Sequence, residues 1–543
     1  MKRKHTIALA AFALCGSMQA QDIYQIESLS GSDLNGTARY VGMGGAMNAL
    51  GADLSTMGTN PAAIGMYRRS DIAFTGSITA QPNGEEFADI SRSRASFDQA
   101  GFVYSIKTGN GGKGMNFVNF GFNYQKRRNL KNYVGLNNVA VAGGLSQSWE
   151  IAQLAYYNGA ALNLSSGSTD CNYTTPLTYT AFDAQLIGAK DANGNLLTNS
   201  NVKPGDKVSD YAASQANAYN YRRAQWGGVQ QYDFNISFNC SDRFYAGFTL
   251  GLYNVNIHSL LAYDELLYEG NKSGFYNMDY SEELSGVGVD GKFGFIVRPI
   301  EDDPFRIGVA LSTPVFYDLT RDAYLHLETP YSHTSTSGET YNRTSAPASV
   351  NDLEYRIRTP WKLNISAATT VGNYLALDAE YEMNNYSSTQ LRWPKEDGYD
   401  FYGNVPTERD QAMDGEINSY LKTTHTFRIG AEVRLAKGTY ARVGYNFVSS
   451  PFKKEAKLNC FTSSPSYHYN LNTDYVNLGA TNRVTVGLGY HGKNWYADLA
   501  YQFQAQKGDV HAYSYEDNGV NLLKGQSVDL NRQNVMFTLG YKF

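Results

Sequence analysis

Two GxGxxG strings, Gly109 to Gly114 and Gly286 to Gly291, are the first places where this sequence could do chemistry. Glycines so spaced let backbone amides cradle a phosphate where a strand gives way to a helix. Neither string opens a helical pattern; the first reads as a hairpin turn and the second as a strand whose glycines ease packing. The serine elbow GxSxG and the zinc pair HExxH are both absent from the sequence. After His5 the histidines are scattered, at 258, 326, 333, 425, 468, 491 and 511, which supports neither a metal nor a haem site. Asp191-Ala192-Asn193-Gly194-Asn195 offers oxygen donors for calcium but lacks the glutamate that completes an EF-hand loop, and so reads as a solvated turn. No cofactor is expected.

A different kind of chemistry is carried by charges that recur at every second residue. Asp378, Glu380 and Glu382 share one face of a segment, as do Arg428, Glu432 and Arg434 in another, and Arg442, Arg483 and Asp498 follow. Turned to lipid, such charges cost roughly 2 to 4 kcal/mol each at the midplane, so they must face a lumen. That lumen is either wet or plugged, and a salt-bridged network filling it competes with a transport role for any one residue.

The elements that would position these charges are strands. Period-two alternation recurs in blocks of about ten residues, the length a tilted strand needs to cross a bilayer. From Gln231 to Asn239, Tyr232, Phe234, Ile236 and Phe238 alternate with Asp233, Asn235, Ser237 and Asn239. Trp495 to Gln504 behaves likewise. Further blocks lie near Asp71 to Thr79, Asp98 to Lys107, Met115 to Tyr124, Phe244 to Tyr253, Val287 to Arg298 and Phe305 to Thr313. The rest lie near Trp361 to Thr369, Tyr374 to Met383, Phe427 to Leu435, Tyr440 to Phe447, Arg483 to Tyr490 and Asn534 to Phe543. The blocks total fourteen, an even number as a bacterial single-chain barrel requires. Tight turns such as Ser241-Asp242 and Ala436-Lys437-Gly438 alternate with long connections, Lys126 to Gln230, Tyr317 to Pro360 and Asn384 to Thr426, which would face outward. The last block sets Val535, Phe537, Leu539, Tyr541 and Phe543 outward, and its terminal Phe is what the barrel-assembly machinery would read.

Composition agrees. The chain has 543 residues with 52 Gly, 42 Tyr and 26 Phe, a mean hydropathy of -0.42 and no apolar run long enough for a membrane helix. Forty-six Lys and Arg face 51 Asp and Glu with no basic block, which argues against nucleic acid as a partner. Lys2, Arg3 and Lys4 before an apolar run ending at Leu14, then Met18-Gln19-Ala20, read as a secretory signal over residues 1–20; lipidation at Cys15 is disfavoured by Leu14. The mature chain keeps Cys171, Cys240 and Cys460, an odd and scattered set that forms no disulfide framework.

Residues 21–70 do not alternate and are rich in Gly, Ala, Met and Asn, a composition suited to a plug, or hatch, packed inside the barrel that occupies residues 71–543. Gly36-Thr37-Ala38-Arg39-Tyr40-Val41-Gly42-Met43-Gly44-Gly45-Ala46, Gly51-Ala52-Asp53 and Thr59-Asn60-Pro61-Ala62 resemble the N-terminal hatch of the FadL/TodX outer-membrane transporters of long-chain fatty acids and other hydrophobic compounds, in a Tyr- and Asn-rich form like the Bacteroidetes branch. The resemblance implies an all-β fourteen-stranded barrel, a closed lumen, an outer hydrophobic groove and sideways release at a kinked strand. It carries Asn60, Pro61, Ala62, Gly42, Gly44 and Gly45 over as hatch or gating residues. The residues themselves add that Pro61 fixes φ and Asn60 can cap neighbouring backbone, so together they set a rigid turn.

One outer segment is apolar at helical spacing. Trp149, Ile151, Leu154 and Tyr157 within Ser148 to Tyr157 would form a short helix that either gathers a lipophilic ligand or packs onto the rim. The expected function is passive, gated uptake of a hydrophobic small molecule such as a fatty acid across a bacterial outer membrane, without chemistry on the ligand. A porin for polar solutes and a surface adhesin or structural barrel are the alternatives.

Overall fold

The computed structural model describes residues 23–82, 87, 93–109, 114–157, 175–191, 193–197, 210–269, 272–301, 303–330, 333–334, 340–341, 344–394, 406–458, 469–517 and 520–543. The signal segment 1–20, Cys15, Cys171, Cys460, His468 and Ala192 lie outside them.

Fourteen antiparallel strands close a barrel. They are β1 (Asp71–Ala80), β2 (Ser93–Lys107), β3 (Met115–Ala140), β4 (Gln215–Cys240), β5 (Phe244–Glu269), β6 (Lys272–Val297), β7 (Arg306–Ser312, resuming as Phe316–Thr329), β8 (Thr344–Arg358, resuming as Lys362–Val371), β9 (Leu375–Asn385, then Gln390–Pro394), β10 (Thr423–Ala436), β11 (Thr439–Val448), β12 (Tyr475–His491), β13 (Trp495–His511) and β14 (Arg532–Lys542). Closure is made by β1 on β14, in register from Asp71 opposite Lys542 to Ala80 opposite Gln533. Closure leaves no strand of the wall as a free edge, the condition for crossing lipid. Each alternating block of the sequence falls on one of these strands.

The expected outer connections are shorter than the alternation suggested, because the strands continue beyond the membrane. Tyr317 to Pro360 is mostly strand, and Lys126 to Gln230 loses its ends to β3 and β4. The reason is a change of phase. On β5, Phe248, Leu250 and Leu252 point outward and are exposed, whereas past Tyr253 it is Val255, Ile257, Leu261 and Tyr263 that are buried on the inner side. Inside the membrane the outer face must be apolar; above it, water takes the outer face and the inner face becomes a core. β7 and β8 break side by side at Thr313–Val315 and Thr359–Trp361, each around a proline that cannot donate to the ladder.

That outer core is a cap. It holds α1 (Ile23–Ser30) from below, and α2 (Ala38–Gly42) lies deeper in the lumen. Above, α3 (Gln147–Tyr157), α4 (Pro176–Asp183) and a small sheet of Ile187–Lys190, Leu196–Leu197 and Asp210–Ala213 pack against Tyr221, Tyr263 and Tyr276 of the tall strands. A fifth helix, α5 (Gln411–Tyr420), begins at Asp410, whose side chain accepts from the Met413 amide.

The segment before β1 fills the barrel. Residues 23 to 70 carry α1, α2 and two 3-10 turns, Leu54–Gly58 and Pro61–Met66, and almost every residue is buried. An apolar outer belt around a closed barrel with an occupied lumen is the architecture of a bacterial outer-membrane protein.

Candidate functional site

The hatch is held by carboxylates of the wall. Glu380 accepts the Met47 and Asn48 amides, both at 2.7 Å, and Asp378 accepts those of Ala49 at 3.2 Å and Leu50 at 2.9 Å. Arg39 of α2 meets Glu432 at 2.9 Å, Glu432 meets Arg442 at 2.6 Å, and Arg442 meets Asp498 at 2.6 Å. Arg428 joins Glu380 and Glu382 at 3.3 and 3.0 Å. Of the inward charges expected from sequence, all but Arg434 and the half-buried Glu382 are buried, and they form the salt-bridged network rather than a bare pore lining. Buried charges so paired are costly to separate.

The hatch glycines sit where backbone meets backbone. Gly44 has φ 66°, and a side chain there would place Cβ 2.8 Å from the Tyr445 amide nitrogen on β11. The Gly42 carbonyl accepts from Thr485 Oγ1 at 3.2 Å, and Gly45 leaves Leu34 no room for a Cβ, which would lie 2.7 Å away. Asn60 caps the turn that Pro61 opens: its Oδ1 accepts from the Ala62 amide and its Nδ2 donates to the Asn48 carbonyl, both at 3.2 Å. The six hatch residues singled out in the sequence are therefore all contact points, along α2 and its exit on one side and at the Asn-Pro-Ala turn on the other.

Above the hatch, three cavities follow one another. The outermost, about 90 Å³, is lined by Tyr24, Leu130, Phe452, Tyr475 and Leu530, with the Arg223–Asp474 and Arg321–Glu282 pairs at its edge. The next, about 130 Å³, is polar and cationic. Arg127, Arg128, Lys292, Lys362, Arg428, Arg483 and Arg532 line it against Glu27, Asp33, Asp290 and Glu382. The third, about 270 Å³, lies in the wall among Ser96, Phe97, Arg128, Leu130 and Trp226. Glu27, Asn132 and Leu478 border the first two, and Arg128 borders the second and third.

The third cavity exists because the ladder opens. β2 pairs with β3 only from Lys107 opposite Phe117 to Gln99 opposite Gln125, although β2 stays paired to β1 down to Ser93 and β3 to β4 up to Ala140. At this point β3 shifts register between Lys126 and Arg128, opposite Gln230 and Val229 of β4, one residue before Gly228, the partner of Asn129. Gly228 has φ 145°, and a Cβ there would lie 2.0 Å from the Arg128 carbonyl oxygen, so only glycine permits the close approach of β4 to β3 just past the bulge. Helix α1 stands where the cavities meet. It is fixed by Arg128 on Glu27, by Tyr355 Oη donating to Gln25 at 2.8 Å, and by Lys362 Nζ donating to the Ser30 carbonyl at 3.1 Å.

The outer groove expected around Trp149, Ile151, Leu154 and Tyr157 is not what α3 forms. The helix is there, but Ile151 and Leu154 have no exposed surface and Trp149 meets Tyr515 edge to face, so these residues build the cap core. Tyr157 ends the helix. A short amphipathic segment buries its apolar face when strands rise around it. The residues lining the cavities were hidden because they come from many strands; the run Lys126-Arg127-Arg128, which breaks the alternation of β3, is the one local signal. Asp191 accepts the Asn193 and Asn195 amides, each at 2.8 Å, which makes its loop a self-satisfied turn.

No protein-family model matches the chain, and no curated protein matches it. Solved structures do. A FadL homologue of Pseudomonas aeruginosa shares 11% identity over 95% of this chain and 100% of its own, with a TM-score of 0.50. The fold is that of a FadL homologue. The toluene transporters TbuX of Ralstonia pickettii (14% identity, 94% of this chain, 99% of that one, TM-score 0.45) and TodX of P. putida (12%, 94%, 99%, 0.44) also match. In this FadL-type barrel the N-terminal segment fills the lumen, as the hatch motifs in the sequence implied.

Proposed function

We propose that this protein is an outer-membrane channel for passive, gated uptake of long-chain fatty acids or similarly hydrophobic compounds. Residues 1–20 are its export signal, 21–70 its hatch and 71–543 its barrel. The observation that supports this reading is the course of the cavities: they descend from the outer pocket at Tyr24 to the charged cavity at Arg128 and then turn sideways into the gap between β2 and β3, while the hatch occupies the axial route. A path that ends in the wall delivers its cargo toward lipid, which suits an apolar solute and wastes a polar one. Burial in the outer pocket contributes about 25 cal/mol per Å² of apolar surface. The cationic cavity beneath gives an anionic head group a place to pause, which favours a carboxylate-bearing amphiphile within the hydrophobic class. Asn60, Pro61, Ala62, Gly42, Gly44 and Gly45 hold the hatch and gate by their fit, and the ligand undergoes no reaction.

The test is to purify the protein in mild detergent and identify co-extracted small molecules by mass spectrometry, against an unrelated barrel treated identically. Enriched fatty acid or another defined lipophile supports the proposal. A protein that carries none, and that in planar bilayers conducts ions freely with its hatch in place, is instead a porin.

A further inference from the structure

A row of arginines crosses the outer wall just above the apolar belt. Arg356 of β8 lies directly opposite Arg392 of β9, and Arg392 directly opposite Arg409 of the short strand Thr407–Arg409. Arg358, two residues further along β8, stacks over the Phe316 ring at 5.3 Å. Their neighbours Tyr355, Ile357 and Leu391 point inward and are buried, so the arginines point out. Cross-strand partners bring their Cβ atoms to about 5 Å, and like charges so placed destabilise a sheet.

Acids of the wall meet two members of the row. Arg356 meets Asp318 at 3.2 Å and Arg409 pairs with Asp414, while Arg392 spends its donors on the Thr407 hydroxyl at 2.9 Å and its carbonyl at 3.0 Å. Depth decides the occupant. Phe316 and Trp361 are the uppermost exposed apolar residues of β7 and β8 below the isolated Tyr324, and Arg358 lies directly opposite Phe316 and three residues above Trp361, about 10 Å along the strand. Lipid head groups lie at this level of a barrel wall, at the edge of its aromatic girdle. Arginine forks suit phosphate oxygens.

We infer that Arg356, Arg358, Arg392 and Arg409 form a binding site for the phosphate groups of an outer-leaflet glycolipid. The site is on the lipid side of the wall, separate from the cavities, and it would fix the depth of the barrel where β7 and β8 are broken by Pro314 and Pro360.

The experiment is a binding titration by native mass spectrometry on the full-length protein in mild detergent, with bisphosphorylated lipid A, its dephosphorylated form and inorganic phosphate as probes. The phosphorylated lipid should bind about tenfold more tightly than the dephosphorylated one, a difference of about 1.4 kcal/mol. The double variant Arg358→Gln, Arg392→Gln should erase that difference while keeping heat-modifiable gel migration. Asp318→Asn, which removes the nearest competing carboxylate, should increase it and guards against a misfolded double variant. Equal binding of the two lipids by the native protein overturns the inference, as does a preference that survives the double variant. Displacement of lipid A by equimolar inorganic phosphate would show a site for the free anion instead.

Discussion

Arg128 Nη2 donates to both carboxylate oxygens of Glu27, at 2.6 and 2.8 Å, and so joins the strand that borders the wall opening to the helix that stands among the cavities. Both side chains are nearly buried, and the pair ties α1 to the bulge in β3 beside the bond from Arg127 Nη2 to the Ser30 carbonyl at 3.4 Å. Stranding one charge of a buried pair costs roughly 3 to 5 kcal/mol, and Arg128 keeps Asp33 at 3.8 Å, so losing Glu27 costs less than that.

Glu27→Gln should therefore loosen α1 without disturbing the barrel. Bilayer recordings should show larger or more frequent conductance steps than the native protein, while heat-modifiable migration stays unchanged. Identical recordings would mean that the bonds at Tyr24, Gln25 and Ser30 hold α1 without the pair.

Gly228→Ala places a methyl carbon against the Arg128 carbonyl and cannot keep the bulge. We expect the register of β3 on β4 to straighten, the opening beside Phe97 to narrow, and uptake of a labelled long-chain fatty acid to fall at least about tenfold. Uptake at the native rate from a well-assembled variant would exclude this opening as the exit.

The Asn60-Pro61-Ala62 turn belongs to the hatch and to no ladder of the wall. Asn60→Ala removes the cap on the Ala62 amide, worth about 1 kcal/mol, and the bond to the Asn48 carbonyl. Pro61→Ala frees φ at the same turn. Both variants should assemble normally and transport less. Failure to assemble, seen as loss of heat-modifiable migration, would assign the turn to folding.

The cap should respond to pH through two buried acids, Glu150 in the first turn of α3 and Glu265, which accepts the Gln147 amide at its start. Burial pushes Glu150 up to about 8, against the Ser514 amide and hydroxyl that bind its charged form, with Glu516 adding to the rise. Burial likewise lifts Glu265 to about 7, opposed by the Ser146 hydroxyl, the Gln147 amide and Tyr263. Both stay protonated in the folded cap where the unfolded chain, near 4.5, has ionised. The stabilisation is complete below about pH 4.5 and is lost as pH rises through 7 to 8. Limited proteolysis of the cap should be slower at pH 5.5 than at pH 8.5, and Glu150→Gln with Glu265→Gln should flatten that difference.

The sequence made the membrane part of the wall legible because lipid imposes one rule on every strand. Phe248, Leu250 and Leu252 had to face out, and Asp233, Asp378 and Arg442 had to face in. Above the lipid the rule inverts, and a search for a single phase stops at Tyr253 although the strand runs on to Glu269. Two adjacent apolar residues, Leu252 and Tyr253, were the visible mark of the inversion. The hatch contacts were readable from Gly44 and Asn60, whose types are demanded by backbone geometry. The cavities were not, since Tyr24, Arg128 and Arg532 meet only after the barrel closes.

β4, β5 and β6 each run for 26 residues, about 85 Å at a strand's rise and about 60 Å of height once tilted. Lipid needs less than half of that. The wall on this side is a chimney that lifts the outer rim of the protein about 30 Å clear of the lipid it crosses, so that whatever reaches the cavities enters well above the membrane plane.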